Sequence, residues 1–95
     1  MEINPLYTKI EKLIELRKGI VVMENPEGFP VGESNIYMVA SNGQTLWKAE
    51  KPKSGALFTR VRLNEDASLS TFTSDAQFCE LDSENGRIIS SSNFR

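Results

Sequence analysis

Histidine is absent from this chain, and cysteine occurs once, at Cys79. The first absence removes the commonest acid–base group and the commonest metal ligand. The second excludes an intrachain disulfide and a thiolate zinc site of the usual kind. Together they exclude a Cys–His nucleophile. None of the serines stands in a Gly-x-Ser-x-Gly elbow, and Gly28 and Gly32 lack the Lys-Ser/Thr that closes a phosphate loop. The stretch "DSENG" at Asp82 begins like a calcium loop, but Asn93 stands where the bidentate Glu belongs. It reads as a polar turn, with Asp82 capping amides before Gly86. No catalytic activity, metal or cofactor is therefore expected. Long apolar runs are missing as well. Glu2, Lys9, Glu11, Lys12, Glu15, Arg17 and Lys18 crowd the first twenty residues. Neither a secretory leader nor a membrane span fits them, and a cytoplasmic location is expected.

What is present is ordinary globular composition: 95 residues, 39% hydrophobic and 25% charged. That implies one domain over residues 1–95, burying roughly 60–70% of its unfolded surface. Short apolar runs alternate with turn chemistry at nearly even spacing. This predicts an all-β antiparallel meander of seven or eight short strands, either a curled sheet, a barrel or sandwich-like. In "NIYMVASNGQTLWKAE", Asn42-Gly43 predicts a two-residue type I′ turn. Counting outward pairs Val39 with Leu46, Met38 with Trp47 and Tyr37 with Lys48. Ile36, Met38, Ala40, Trp47 and Ala49 then share one face, and Tyr37, Val39 and Leu46 the other, so both faces need cover.

The same counting makes hairpins of "LFTRVRL" with "LSTFT" and of "AQFCELD" with "GRIIS". Leu57, Val61, Leu63 and Leu69 share one face of the first; Phe58, Arg60, Arg62 and Phe72 share the other. In the second, Cys79, Leu81 and Ile89 face the core, while Phe78 and Ile88 point away. "GIVVME" is a strand. Residues 5–18 are ambiguous. Asn4, Pro5 and Gly19 frame a helix with Leu6, Ile10, Leu13 and Ile14 on one side. The same residues also make a strand closing on "IVVME" through a three-residue loop, "RKG". We favour the strand.

"YMVASNGQTLW" and "CELDSENGRIIS" align on Gly43 and Gly86, with one extra residue in the second loop. The spacing approaches that of a four-stranded propeller blade. "LDSENGRII" resembles the strand–turn–strand core of quinoprotein-type propeller repeats, and "IYMVASNGQTLW" resembles a degenerate copy lacking the usual Asp at Ser41. Two copies cannot close a propeller, and the resemblance implies structure without a quinone. The whole layout is also similar to small, functionally uncharacterised bacterial all-β proteins. These pair two strands before an "LW" hairpin and an "LNED" turn, and close on "LD…G" and a terminal Phe. That resemblance implies a fold and no activity.

Charge is unevenly spread. Lys48, Lys51, Lys53, Arg60 and Arg62 face one acid, Glu50, in residues 48–62, whereas residues 64–84 hold six acids and no base. Such a split can steer a partner or pair subunits, unless folding interleaves the charges. Phe58, Arg60, Arg62 and Phe72 together form the aromatic–cationic pattern that single-stranded nucleic acid uses. A pI near 5.1 counts against that partner. Arginine stems lying over apolar surface would explain the pattern equally. Apolar residues on both faces instead suggest protein partners, foremost a second copy in a homodimer. Tyr37, Trp47 and Phe29 are the expected anchors. Trp47 could alternatively pack on Met38, while Phe29, between Gly28 and Pro30, is expected to be exposed. The expected function is a non-catalytic, self-associating protein-interaction module. A small-ligand protein with a cleft between Trp47, Phe58 and Tyr37 is the alternative.

Overall fold

The computed structural model describes residues 3–93. It contains β1 (Ile10–Glu15), β2 (Ile20–Glu24), β3 (Ile36–Val39), β4 (Thr45–Lys48), β5 (Phe58–Leu63), β6 (Leu69–Thr73), β7 (Gln77–Leu81) and β8 (Ile88–Asn93). They form two antiparallel four-stranded sheets in chain order, β1-β2-β3-β4 and β5-β6-β7-β8. The fold is all-β and sandwich-like, and it does not close into a barrel. Among the described residues there is no helix, so residues 10–15 take the strand alternative. Their loop is shorter than expected: Leu16 and Gly19 exchange backbone bonds of 2.8 and 3.3 Å around Arg17 and Lys18.

Alternation decides what each sheet buries. Ile14, Val21, Met23, Ile36, Met38 and Trp47 face inward from the first sheet. Phe58, Val61, Leu69, Cys79 and Leu81 meet them from the second. The molecule measures 17 Å across its thinnest direction, which suits two layers. Asn35, fully buried before β3, joins the layers. Its Nδ2 donates to Glu24 O and Phe58 O at 2.8 and 2.7 Å, and its Oδ1 accepts from Phe58 N at 2.8 Å. Lys51 ties the inter-sheet connection to the loop before β3, donating to Val31 O, Glu33 O and Ser54 O. Burial of this ammonium lowers its pKa, and Glu33 opposes that shift.

Each edge strand contains one extra residue: Glu11 in β1, Leu46 in β4, Thr59 in β5 and Ile89 in β8. The inner pairings are regular. A bulge kinks an edge and hinders pairing with another chain. These bulges account for most departures from simple counting. The turn at Gly43 is closed by Gly43 N to Ala40 O and by Ala40 N to Gln44 O, so Ser41, Asn42 and Gly43 form a three-residue loop. Asn42 has no positive φ, whereas Gly43 lies at +87°. The bulge at Leu46 then restores Met38 opposite Trp47 and Tyr37 opposite Lys48, as counting predicts. Thr59 turns Phe58 away from Arg60 and into the core. Ile89 is expelled at 60% exposure, and Ile88 takes its place against the core.

The two sheets repeat one another. Bulges occupy the second residue of the first and fourth strand in both. The last hairpins close alike, since Gly86 N donates to Asp82 O and Asp82 N to Arg87 O. Matching the repeats sets Met23 against Phe72, Met38 against Glu80 and Val39 against Leu81. Met23 and Met38 face inward, but Phe72 and Glu80 face outward; Val39 faces outward, but Leu81 faces inward. The meanders therefore stack face to back. They are not related by a two-fold, and they do not form a ring.

Candidate interaction surface

On the outward face of the second sheet, the pairing sets Arg62, Ser70, Glu80 and Ser90 in one row and Arg60, Phe72, Phe78 and Ser92 in the next. Phe72 and Phe78 meet edge to face, with centroids 5.3 Å apart. Ser90 Oγ donates to Glu80 at 3.1 Å. Among the described residues, Arg60 and Arg62 make no ion pair. A groove of about 530 Å³ follows β5, where Lys12, Met23, Thr59, Arg60 and Phe72 come together. The charges of the two halves interleave only partly. Lys53 pairs with Asp75 across the two stretches at 3.7 Å, whereas Glu84 pairs with Lys18, which lies outside the basic one, at 2.7 Å.

Of the candidate residues, Arg60, Arg62 and Phe72 share this surface. Phe58 is moved off it by the Thr59 bulge and is fully buried. Trp47 packs opposite Met38 in the core and donates from Nε1 to Ser83 O at 3.0 Å. Tyr37 is buried on the other side of the first sheet, so Trp47, Phe58 and Tyr37 do not line a common cleft. Phe29 is not exposed: its loop folds back, and the ring sits 5.1 Å from Tyr7 at 77°. Phe78 belongs on the outward face and was foreshadowed by its alternation with Cys79. Phe94, the terminal aromatic of the resembling layout, lies outside the described residues.

The outward face of the first sheet carries Val22, Tyr37 and Val39, with Ile3, Ile10 and Ile20 packed around them. Residues 3–8 cross this face and supply the cover that the two-sided hairpin requires. Glu24, fully buried at the end of β2, holds them. Its carboxylate accepts from the backbone N–H groups of Leu6, Tyr7 and Thr8 at 2.6, 3.0 and 2.9 Å, and from Tyr37 Oη at 2.5 Å. Burial alone would raise this carboxyl, but the Thr8, Tyr37, Leu6 and Tyr7 donors outweigh it and hold it below the usual range. Tyr37 is pushed well above the ordinary phenol value by burial and by that neighbour. One signal for Glu24 was available: it continues the face of Ile20 and Val22, where a charge requires a partner.

A depressed carboxylate stabilises the fold above its unfolded value (about 4.3 for Glu), and the contribution is lost as pH falls through the folded value. Asp66 and Asp75 are lowered too, by hydrogen bonds from Ser68 and Thr73. Wild-type stability is expected to be flat from pH 7 to 5 and to fall below about pH 4. Glu24→Gln should cost about 2 kcal/mol at pH 7 by weakening charge-assisted bonds. It should also flatten the acid limb; urea midpoints across pH 3–7 measure both effects.

Cys79 is buried, and burial together with Asp75 and Glu50 raises its thiol pKa, the opposite of an activated nucleophile. No three His, Cys, Asp or Glu side chains group as a metal site among the described residues. No described helix is long and apolar enough to cross a membrane. Fold and surface thus define a small all-β domain of two stacked four-stranded meanders. The chain belongs to the family described as a domain of unknown function, DUF7957, whose model matches residues 3–93. No curated protein matches the chain. No solved structure matches it either.

Proposed function

We propose that this domain is a non-catalytic interaction module that self-associates through the outward face of its second sheet. The observation that carries this is the charge order across that face: Arg62 on β5, Ser70 on β6 and Glu80 on β7, in one row. A two-fold axis along β6 sets Arg62 of each copy over Glu80 of the other. The face is therefore complementary to itself, as a closed dimer requires. The bulged edges favour face contact over edge pairing. Such a contact is weak and salt-sensitive, because both charges start in water.

Sedimentation velocity over a concentration series is the test. Arg62→Glu and Glu80→Arg should each give monomers, since each puts like charges in contact. An equimolar mixture of the two variants should dimerise again, because both contacts are then restored. Wild-type protein that stays monomeric at millimolar concentration and low salt would overturn the reading, as would a dimer indifferent to both substitutions.

A second reading, a small anionic ligand, is favoured by the groove along β5, where Lys12, Arg60 and Phe72 converge. Neither nucleic acid nor membrane forms part of the proposal. The likeness to propeller repeats is supported by four-stranded meanders stacked face to back, and it is taken as structural, with no quinone. A cytoplasmic setting is proposed on the single buried, reduced cysteine, and a bacterial one on the likeness to small uncharacterised all-β proteins alone.

A further inference from the structure

The outward face of the first sheet has the chemistry of a peptide-binding site that already holds a peptide. Three consecutive backbone N–H groups, those of Leu6, Tyr7 and Thr8, converge on one buried carboxylate. Recognition of this kind reads the backbone and leaves the side chains free. Leu6 is indeed 45% exposed, while Tyr7, 57% exposed, lays its ring on Phe29. Only Ile3 of the segment joins the apolar cluster beneath it. The fit is also incomplete: about 200 Å³ remains open between Ile3, Leu6, Tyr37 and Val39. The bed itself is well built. Val22, Tyr37 and Val39 are almost fully buried, and the Tyr37 hydroxyl braces the carboxylate.

We infer that this face is a binding site for an extended peptide segment, and that residues 3–8 of a second copy are the segment it takes in trans. The resident segment defines the ligand: three successive amide donors for Glu24, one aliphatic side chain for the cluster, a hydroxyl that Thr8 donates to Asn25 O at 2.7 Å, and the Tyr7 ring against Phe29. A second copy carries the same segment, joined to β1 through Lys9 alone. Exchange between copies leaves every contact in place and changes only which chain supplies it, which makes swapping cheap. In the closed monomer the resident competes with any incoming segment, so apparent affinity falls by the fraction of sites left open. The site is separate from the outward face of the second sheet.

The probe is a fluorescein-labelled synthetic peptide of residues 3–9, followed by anisotropy in 0.5 M NaCl, where the proposed sheet-to-sheet contact is screened. The full chain is used. Ile3→Asp removes the resident's apolar anchor and leaves the site intact. This variant should bind the peptide saturably and at least tenfold more tightly than wild type. Adding Glu24→Gln to it should weaken binding at least tenfold. Leu6→Pro removes one resident donor at a half-exposed side chain, and it stands in if Ile3→Asp does not fold; Trp47 emission reports folding. Absence of saturable binding to the folded, weakened-resident variants at millimolar peptide would overturn the inference, and so would binding that ignores Glu24→Gln. Failure of the Arg62–Glu80 exchange would leave this result untouched.

Discussion

Asn35→Ala is expected to cost about 4 kcal/mol, the largest loss of any single polar truncation in this domain. The side chain is completely buried and makes three bonds, two of them across the gap between the sheets. Truncation strands Phe58 N, Phe58 O and Glu24 O away from water. Each buried orphan costs roughly 1–3 kcal/mol, and a water filling the vacated space would recover part of that. A domain of this size has little margin, so the transition temperature should drop by roughly 15–25 °C. Asn35→Asp separates bonding from packing. It retains an acceptor for Phe58 N but turns a carboxylate towards two carbonyls, so it should be no better than alanine at pH 7. Asn42→Ala, at an exposed turn, should lose only tenths of a kcal/mol. Urea melts followed by Trp47 emission measure all three. A loss under about 1 kcal/mol for Asn35→Ala would mean that the apolar faces and the remaining polar ties hold the sheets without it.

Gly86→Ala should cost about 3 kcal/mol, and Gly43→Ala only about 1. Both glycines lie in the left-handed region, at +75° and +87°. Alanine pays that conformational penalty at either position. The surroundings differ. A Cβ on Gly86 would lie 2.4 Å from Trp47 Cε3 and 2.8 Å from Cδ2, whereas nothing lies within 4 Å at Gly43. The indole cannot easily retreat, because Nε1 is bonded to Ser83 O and the ring is set in the core. The same turn also receives Glu50 N at Gly86 O and presents Ile88 N to the Glu50 carboxylate. Displacing the turn would disturb that junction as well. The difference between the two alanine variants, read from paired melts, isolates the contact from the backbone. Equal losses would show that the indole and the turn do not depend on one another.

Strand number, order and most inner faces were legible because alternation and turn residues act locally. Met38 against Trp47 could be counted from a glycine, and Cys79 with Leu81 could be set facing the core. Bulges were not legible. Nothing in Thr59 or Ile89 announces an extra residue, yet each reverses the facing of a neighbour. Phe58 went to the wrong side for that reason. The fate of Phe29 depended on Tyr7, a ring outside every strand, which no periodic pattern could supply. Arg60, Arg62 and Phe72 were found together because β5 is regular beyond its bulge. Asn35 left no trace, since a buried amide that bridges layers looks like any other loop residue until the layers are stacked. Glu24 left a faint one, as a charge in line with an apolar face.

Stacking face to back gives this molecule a direction, a head and a tail that are chemically unlike. Growth by a further module of the same kind would need no new type of joint, only another round of the existing one. The two ends are finished differently: an irregular stretch of the same chain lies over the greasy one, and arginine, serine and glutamate dress the other beside a pair of phenylalanines. In such a design the joint between modules and the dressing of the outer faces are set by different residues.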